Sequence, residues 1–317
     1  MKKILSLALA LILCVGACMA FASCNGGSTI KVNPDKDEYV VGICQLMRHE
    51  SLDKATKGFI DGLTAALAAE GRTVRFDTQV PGEANLCPTV INTFVSKDVD
   101  MIMGNATPAV LAAANATLTI PVLGTSVTDY ADTFSGNIPE NVSGTSDAVP
   151  FGEQAQMMID TLGLVAGDKV GVIYCTNESN SVIQYEAVKE LFEAKGIVVE
   201  KFTFSETTEL QATAAAAADA CKAVYVPSDN TVANNDTIVG TVCEEKNVPV
   251  FTSYGGGICY ASLAIDYYQL GVETGKMAAD ILLGKTAMAD LEIKTLVPTV
   301  VYNEELCGKL GITVPAN

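Results

Sequence analysis

The sequence predicts an α/β protein made of two similar, doubly wound lobes, each on a parallel sheet. Three observations carry this reading. Strand and helix signals alternate from residue 39 onward, the alternation runs twice in the same order, and 317 residues suit about two domains.

In the first series Tyr39–Cys44 is apolar and rich in β-branched residues, hence a strand. Leu52–Ala69 has helical spacing, with Leu52, Ala55, Phe59, Leu63 and Leu67 on one stripe and Gly71 as a stop. Val74–Thr78 reads as a strand, Pro88–Ser96 as a helix, Asp100–Met103 as a strand, Pro108–Asn115 as a short helix and Ile120–Leu123 as a strand. The second series has strands at Lys169–Cys175, Val198–Phe202, Ala223–Val226 and Val248–Phe251. Its helices are Val182–Lys195, the Ala-rich Leu210–Ala220 and Thr231–Lys246.

The two series keep register. Val41-Gly42-Ile43 matches Val170-Gly171-Val172, and Gly71 matches Gly196. Met101-Ile102-Met103 matches Val224-Tyr225-Val226, Ile120-Pro121-Val122 matches Val248-Pro249-Val250, and Thr125-Ser126 matches Thr252-Ser253. Five matches in order point to duplicated lobes with right-handed crossovers.

Composition removes several function classes. Lys and Arg number 20 against 37 Asp and Glu, and only Arg48, Arg72 and Arg75 are arginines. So acidic a chain lacks the clustered cations that a phosphate backbone needs, so nucleic acid is not an expected partner. One His and no Trp leave no multi-His metal site. There is no GxSxG, P-loop, GxGxxG or HExxH signature, so neither enzyme chemistry nor a cofactor is expected.

The N-terminus reads as an export signal. Met1-Lys2-Lys3 precedes an apolar run and small residues ending Phe21-Ala22-Ser23-Cys24. This resembles a bacterial lipoprotein signal, with Phe where Leu is usual. The resemblance implies removal of residues 1–23, lipid on Cys24, and a tether over residues 24–38. Loss of Lys2 and Lys3 leaves a net charge of −19. Seven cysteines follow with no CxxC pair, mostly in apolar segments where a free thiol behaves as a small hydrophobe.

In open α/β sheets ligands bind beyond the carboxyl ends of the strands. Here those ends are polar: Gln45, Asn105 with Thr107, Thr125-Ser126 and Asp129 in the first series. The second series has Asn177, Glu178, Asn180 and Ser181, then Asp229-Asn230, then Tyr254. Neutral hydrogen-bonding groups with a few carboxylates suit a small polar or zwitterionic solute held between lobes. The same residue types are also good helix caps and turn formers. For an amino acid, Asp229 is the first acceptor for the ammonium, helped by Asp266 or Asp129. Thr107, Thr125-Ser126 and Asn180-Ser181 are donors for the carboxylate. Tyr254, Phe151 and Tyr130 are stacking surfaces for a ring, and His49 is a possible cleft contact.

Several segments are similar to those of the solute-binding lipoproteins of ABC importers, in the group with tryptophan- and tyrosine-binding members. They are Gln45-Leu46 with His49-Glu50-Ser51-Leu52-Asp53, Ala106-Thr107-Pro108-Ala109, and Asn141 through Asp147. Further matches are Asn177-Glu178-Ser179-Asn180-Ser181, Val226 through Thr231, and Asp266 through Gly271. The chain departs at Arg48-His49-Glu50, where the family has Glu-His-Pro, and at Tyr254-Gly255-Gly256-Gly257.

The resemblance implies a type I periplasmic-binding-protein fold with a three-strand hinge. It places residues 39–145 and 266–294 in lobe one, and 146–265 and 295–317 in lobe two. The crossings would be Asn141–Asp147, with Gly144 as hinge, then Leu263–Asp266, then the strand Leu296–Tyr302. A helix Tyr267–Leu283 and a C-terminal helix Glu304–Leu310 complete the expected lobes. The implied function is capture of an amino acid, tryptophan or tyrosine, by a lipid-anchored monomer that serves an ABC permease and its ATPase. The alternatives are a sensory module feeding a receptor, or the same fold holding a sugar, nucleoside or branched-chain amino acid.

Overall fold

The computed structural model describes residues 30–314. The signal segment, Cys24, residues 25–29 of the tether and residues 315–317 lie outside the described residues.

The first series folds as β1 (Glu38–Gln45), α1 (Glu50–Ala69), β2 (Thr73–Gln79), α2 (Cys87–Ser96), β3 (Met101–Asn105), α3 (Thr107–Ala116), β4 (Val122–Val127), the single turn α4 (Tyr130–Thr133) and β5 (Val142–Ser146). The second is α5 (Phe151–Leu162), β6 (Lys169–Cys175), α6 (Ser179–Ala194), β7 (Val198–Phe204), α7 (Leu210–Ala220), β8 (Ala223–Val226), α8 (Asn230–Ala233), α9 (Asp236–Glu245) and β9 (Val250–Thr252). The chain closes with β10 (Ala261–Ala264), α10 (Tyr267–Leu282), β11 (Lys294–Thr295), β12 (Thr299–Tyr302) and α11 (Glu304–Lys309).

The duplication seen in the sequence is a duplication of topology. One sheet has the order β11-β5-β4-β3-β1-β2 and the other β7-β6-β8-β9, all parallel. The core order 2-1-3-4 therefore recurs as 7-6-8-9. Parallel strands covered on both faces are apolar throughout, and β3, β4 and β8 are buried at every position. The matched glycines share a task. A Cβ on Gly42 would lie 2.5 Å from the Phe94 ring, and one on Gly171 would lie 3.2 Å from Phe202.

Helix α10 returns to the first sheet and packs along α1 at backbone contact. Gly58 and Gly62 on α1 meet Gly271 and Gly275 on α10 there, and a Cβ on Gly271 would fall 2.0 Å from the Ala55 carbonyl oxygen. With no side chains between them, Phe59, Leu63 and Leu67 share one core with Met277, Ile281 and Leu282.

Three expectations are corrected. Thr231–Lys246 is not one helix: Asn235 donates its side-chain amide to the Thr231 carbonyl at 2.8 Å, which ends α8, and α9 begins afresh at Asp236. Leu296–Tyr302 is not one strand: Lys294–Thr295 pairs with β5, Thr299–Tyr302 with β10, and residues 296–298 pass between. Pro298 has no amide to extend the ladder. Beside the two parallel lobe sheets, β10 and β12 form a separate antiparallel pair. Gly144 is not free hinge backbone. It sits inside the β4–β5 pair at φ +146°, where a Cβ would lie 2.1 Å from the Gly124 carbonyl oxygen.

Candidate functional site

The carboxyl ends of both sheets face each other across a cleft. Between them lies a narrow, almost closed chamber with only about 10 Å³ of free space. The first sheet and the crossings supply Ser126, Thr128, Asp147 and Tyr267, the start of α1 supplies His49, Ser51 and Leu52, and the second sheet supplies Asn180, Ser228, Asp229, Asn230, Ala233 and Tyr254. One mouth runs between Glu50 and Lys54 on one side and Asp236 and Gly256 on the other. A separate hollow runs between Glu83–Asn85 and Ser205–Thr207.

Backbone irregularity aims Ser126. The β4–β5 register shifts between Gly124 and Val127, and Ser126 takes φ +56°. Such a bulge turns a side chain out of the regular alternation. A non-glycine residue in this region costs about 1–3 kcal/mol, a strain that gathers at binding sites. Three chamber residues each have a buried polar atom without a hydrogen-bond partner: Ser126 Oγ, Asn180 Oδ1 and Tyr254 Oη. The Asn180 amide nitrogen already donates to the Ser228 carbonyl at 2.6 Å, which leaves its oxygen as the unfilled acceptor. Buried polar atoms in native proteins are nearly always paired, so three orphans in one chamber point to a missing partner.

Two buried carboxylates border the same space. Asp147 ends β5 and accepts from Tyr267 Oη at 2.8 Å and from Thr128 Oγ1 at 3.3 Å. Asp229 caps α8 through Val232 N at 2.9 Å, and takes Cys175 N and Ser181 Oγ at 2.8 Å each. Burial pushes both acids upward, Asp229 well above its ordinary range with the nearby Glu178 charge adding to the effect. Neither carboxylate has a Lys or Arg partner among the described residues. A buried anion without a cation is costly, and a cationic ligand group relieves that cost.

His49 joins the lobes directly. Its Nε2 lies 3.2 Å from Asn230 Oδ1. The Asn230 amide donates to Glu178 Oε2 at 2.7 Å, so its oxygen faces His49 and His49 Nε2 is the donor. Desolvation lowers the His49 pKa. Gln184 of α6 makes a second bridge, donating to Thr128 Oγ1 at 3.1 Å. Changing His49 to Ala removes one net hydrogen bond of about 0.5–1.5 kcal/mol. Ligand affinity is expected to fall about 3- to 10-fold by calorimetry, with unchanged circular dichroism.

Of the residues singled out in the sequence, Ser126, Asn180, Asp229, Asn230 and Tyr254 border the chamber, and His49 joins them. The others do different work. Gln45 is buried and donates to the Met47 carbonyl and to Asp53. Asn105 donates to the Leu52 carbonyl and Thr56, fixing α1 on β3. Thr107 is buried in the first turn of α3, and Thr125 accepts from Thr145 within the sheet. Asp129 caps α4 through Asp132 N, and Asp266 caps α10 through Tyr268 and Gln269 while standing at the outer mouth. Ser181 reaches the chamber only through Asp229. Glu178 spends both oxygens on Asn230 and Thr231. Asn177 is exposed and donates to the Ser205 carbonyl. Phe151 and Tyr130 pack in the lobe cores.

Asp147, Tyr267, Thr128, Ser51 and Ser228 were not among the expected ligand contacts. The signal for Asp147 lay in the same carboxyl-end rule, which applies to β5 as much as to β1, β3 and β4. Tyr267 carried no local signal, since only the return crossing brings it to the cleft.

Two lobes closing over a small chamber with unfilled polar atoms define a solute receptor. The family model of the ABC transporter substrate-binding proteins matches residues 40–317, and the chain belongs to that family. It is 34% identical over 325 residues to the tyrosine-binding protein of Clostridioides difficile (strain R20291), covering 98% of this chain and 93% of that one. Among solved structures it is similar to an ABC domain from Streptococcus pneumonia in complex with L-Trp, with 30% identity, TM-score 0.79, and coverage of 88% here and 96% there. It is also similar to a ligand-free, open substrate-binding protein with adhesive properties from Clostridium difficile, at 29% identity, TM-score 0.66, and coverage of 88% and 97%. No helix among the described residues is long and apolar enough to cross a membrane.

Proposed function

We propose that this protein captures an aromatic amino acid, tyrosine or tryptophan, in the chamber between its lobes and hands it to an ABC permease driven by its ATPase. The carrying observation is the division of polar groups around one chamber, three of them with an unfilled atom. Asp147, Asp229 and Asn180 Oδ1 offer acceptors for an ammonium, while Ser126 and Tyr254 offer hydroxyls for a carboxylate. Tyr254 and Tyr267 supply ring faces in place of the absent Trp. The names of the C. difficile and S. pneumonia relatives support the same ligand class.

The receptor works as a monomer, exported and held at the bacterial membrane by lipid on Cys24. Lobe one is residues 39–145 with 266–294 and lobe two 146–265 with 295–317. The three connections near 147–150, 265–266 and 296–298 bend as the cleft opens.

The test is a thermal-shift screen of the chain from Asn25 onward against the twenty amino acids, common sugars and nucleosides. Ligand at a hundredfold its Kd adds about 2.7 kcal/mol to the closed form. Tyrosine or tryptophan is expected to raise the melting temperature. A rise with a sugar or nucleoside and with no amino acid overturns the assignment.

A further inference from the structure

We infer that the chamber selects its ligand by the cationic end, and that it accepts aromatic monoamines that lack the α-carboxylate, such as tyramine and tryptamine. This rests on the reading of the chamber as an aromatic amino-acid site and narrows what that site demands.

The charge inventory of the cleft is one-sided. Asp147 and Asp229 border the chamber, and Glu178 stands behind Asn230. Among the described residues no Lys or Arg borders the chamber. Its one basic side chain is His49, which burial drives toward the neutral form. The mouth at Asp236 and Asp266 holds Lys54, but that ammonium is paired with Glu50 at 2.6 Å. The separate hollow nearby carries Glu83, Glu178 and Glu206 and, among the described residues, no cation.

The polar atoms divide the same way. A primary ammonium has three N–H donors, and three acceptor groups border the chamber: Asp147, Asp229 and the unfilled Asn180 Oδ1. An α-carboxylate finds only the neutral hydroxyls of Ser126 and Tyr254 among the unfilled groups, and it enters a space already holding two carboxylates. Like charges brought together in a poorly hydrated site repel, whereas an ammonium there is attracted by each of them. Removing the carboxylate from the ligand therefore removes two hydroxyl contacts and a repulsion together. Removing the ammonium removes the one group that compensates the buried acids.

The experiment is titration calorimetry of the tag-free protein at pH 7.5 with L-tyrosine, L-tryptophan, tyramine, tryptamine and 3-(4-hydroxyphenyl)propionate. We expect at least one amine within tenfold of its parent amino acid, and no heat from the propionate. If an amino acid binds and no amine comes within tenfold of its parent, the inference is overturned and the amino-acid reading stands. An amine that binds where neither amino acid does supports the inference and overturns that reading. Silence from all five overturns both. An Asp147→Asn variant distinguishes chamber binding from surface association: amine heat that survives the substitution unchanged also overturns the inference.

Discussion

Changing Asp147 to Asn is expected to raise the melting temperature of the ligand-free protein while weakening ligand capture at least about thirtyfold. The carboxylate is buried at the end of β5, bordering the chamber, and its partners are two hydroxyls rather than a cation. An amide keeps the shape and still accepts from Tyr267, but it carries no charge to desolvate. Removing an uncompensated buried charge stabilises by about 1–2 kcal/mol, or ~2–6 °C for a chain of this size. The same change removes a main counter-charge of the ligand ammonium, and losing one partner of a buried charge pair costs about 2–5 kcal/mol of affinity.

The pH dependence separates the two effects. The folded-state pKa of Asp147 is raised. Its contribution to stability is therefore complete below the unfolded value of about 3.9 and is lost as pH rises through the folded value. Asp229 has the same sign. His49, a base with a lowered pKa, has the opposite one and loses stability as pH falls. The difference in melting temperature between wild type and variant isolates Asp147: it is expected to vanish near pH 4 and to grow toward pH 7. The melting increment given by ligand is expected to run the same way in the wild type, shrinking on acidification as the carboxylates protonate. A wild-type increment that is flat from pH 5 to pH 7.5 removes the ammonium–carboxylate assignment. Asp229→Asn is a poorer probe, because its amide nitrogen would face Val232 N and spoil the cap of α8.

Changing Gly271 to Ala is expected to destabilise the protein by about 3 kcal/mol, at the high end for overpacking. The added methyl falls 2.0 Å from the Ala55 oxygen and 2.8 Å from Phe59 N. Both are backbone atoms, so no rotamer change makes room. The helices α1 and α10 must part, and the core between Phe59 and Met277 opens with them. Alanine's better helix propensity returns only about 1 kcal/mol. Gly308 is the matching control: it lies in α11, and a methyl added there would meet nothing within 4 Å. Gly308→Ala is expected to leave the midpoint of chemical denaturation unchanged or slightly raised. Equal midpoints for the two variants would refute the close-packing argument.

Much of the fold was legible before the structure. Phe59, Leu63 and Leu67 announced α1 by period, and the matched Val-Gly-aliphatic triplets announced the two central strands. Those signals are local, and parallel strands buried on both faces amplify them. What failed was also instructive. Asn235 breaks α8 from α9 through a side-chain bond that apolar periodicity does not register. The antiparallel β10–β12 pair depends on two crossings meeting, which no short window contains.

The site divides along the same line. The amino-acid sequence by itself determined that the strand ends are rich in Asn, Ser, Thr and Asp, and therefore that a polar cleft would form where two sheets point at one another. It could not say which of those side chains face the solute, because each is equally able to cap a helix or close a turn. Only the tertiary structure decided that Glu178 and Asn105 are consumed inside their own lobes. It also brought Asp147 from one crossing and Tyr267 from another into a shared hydrogen bond at the chamber. The physical reason is distance along the chain. Capping and periodicity act over a few residues, whereas Asp147 and Tyr267 lie 120 residues apart and meet only when both lobes are built.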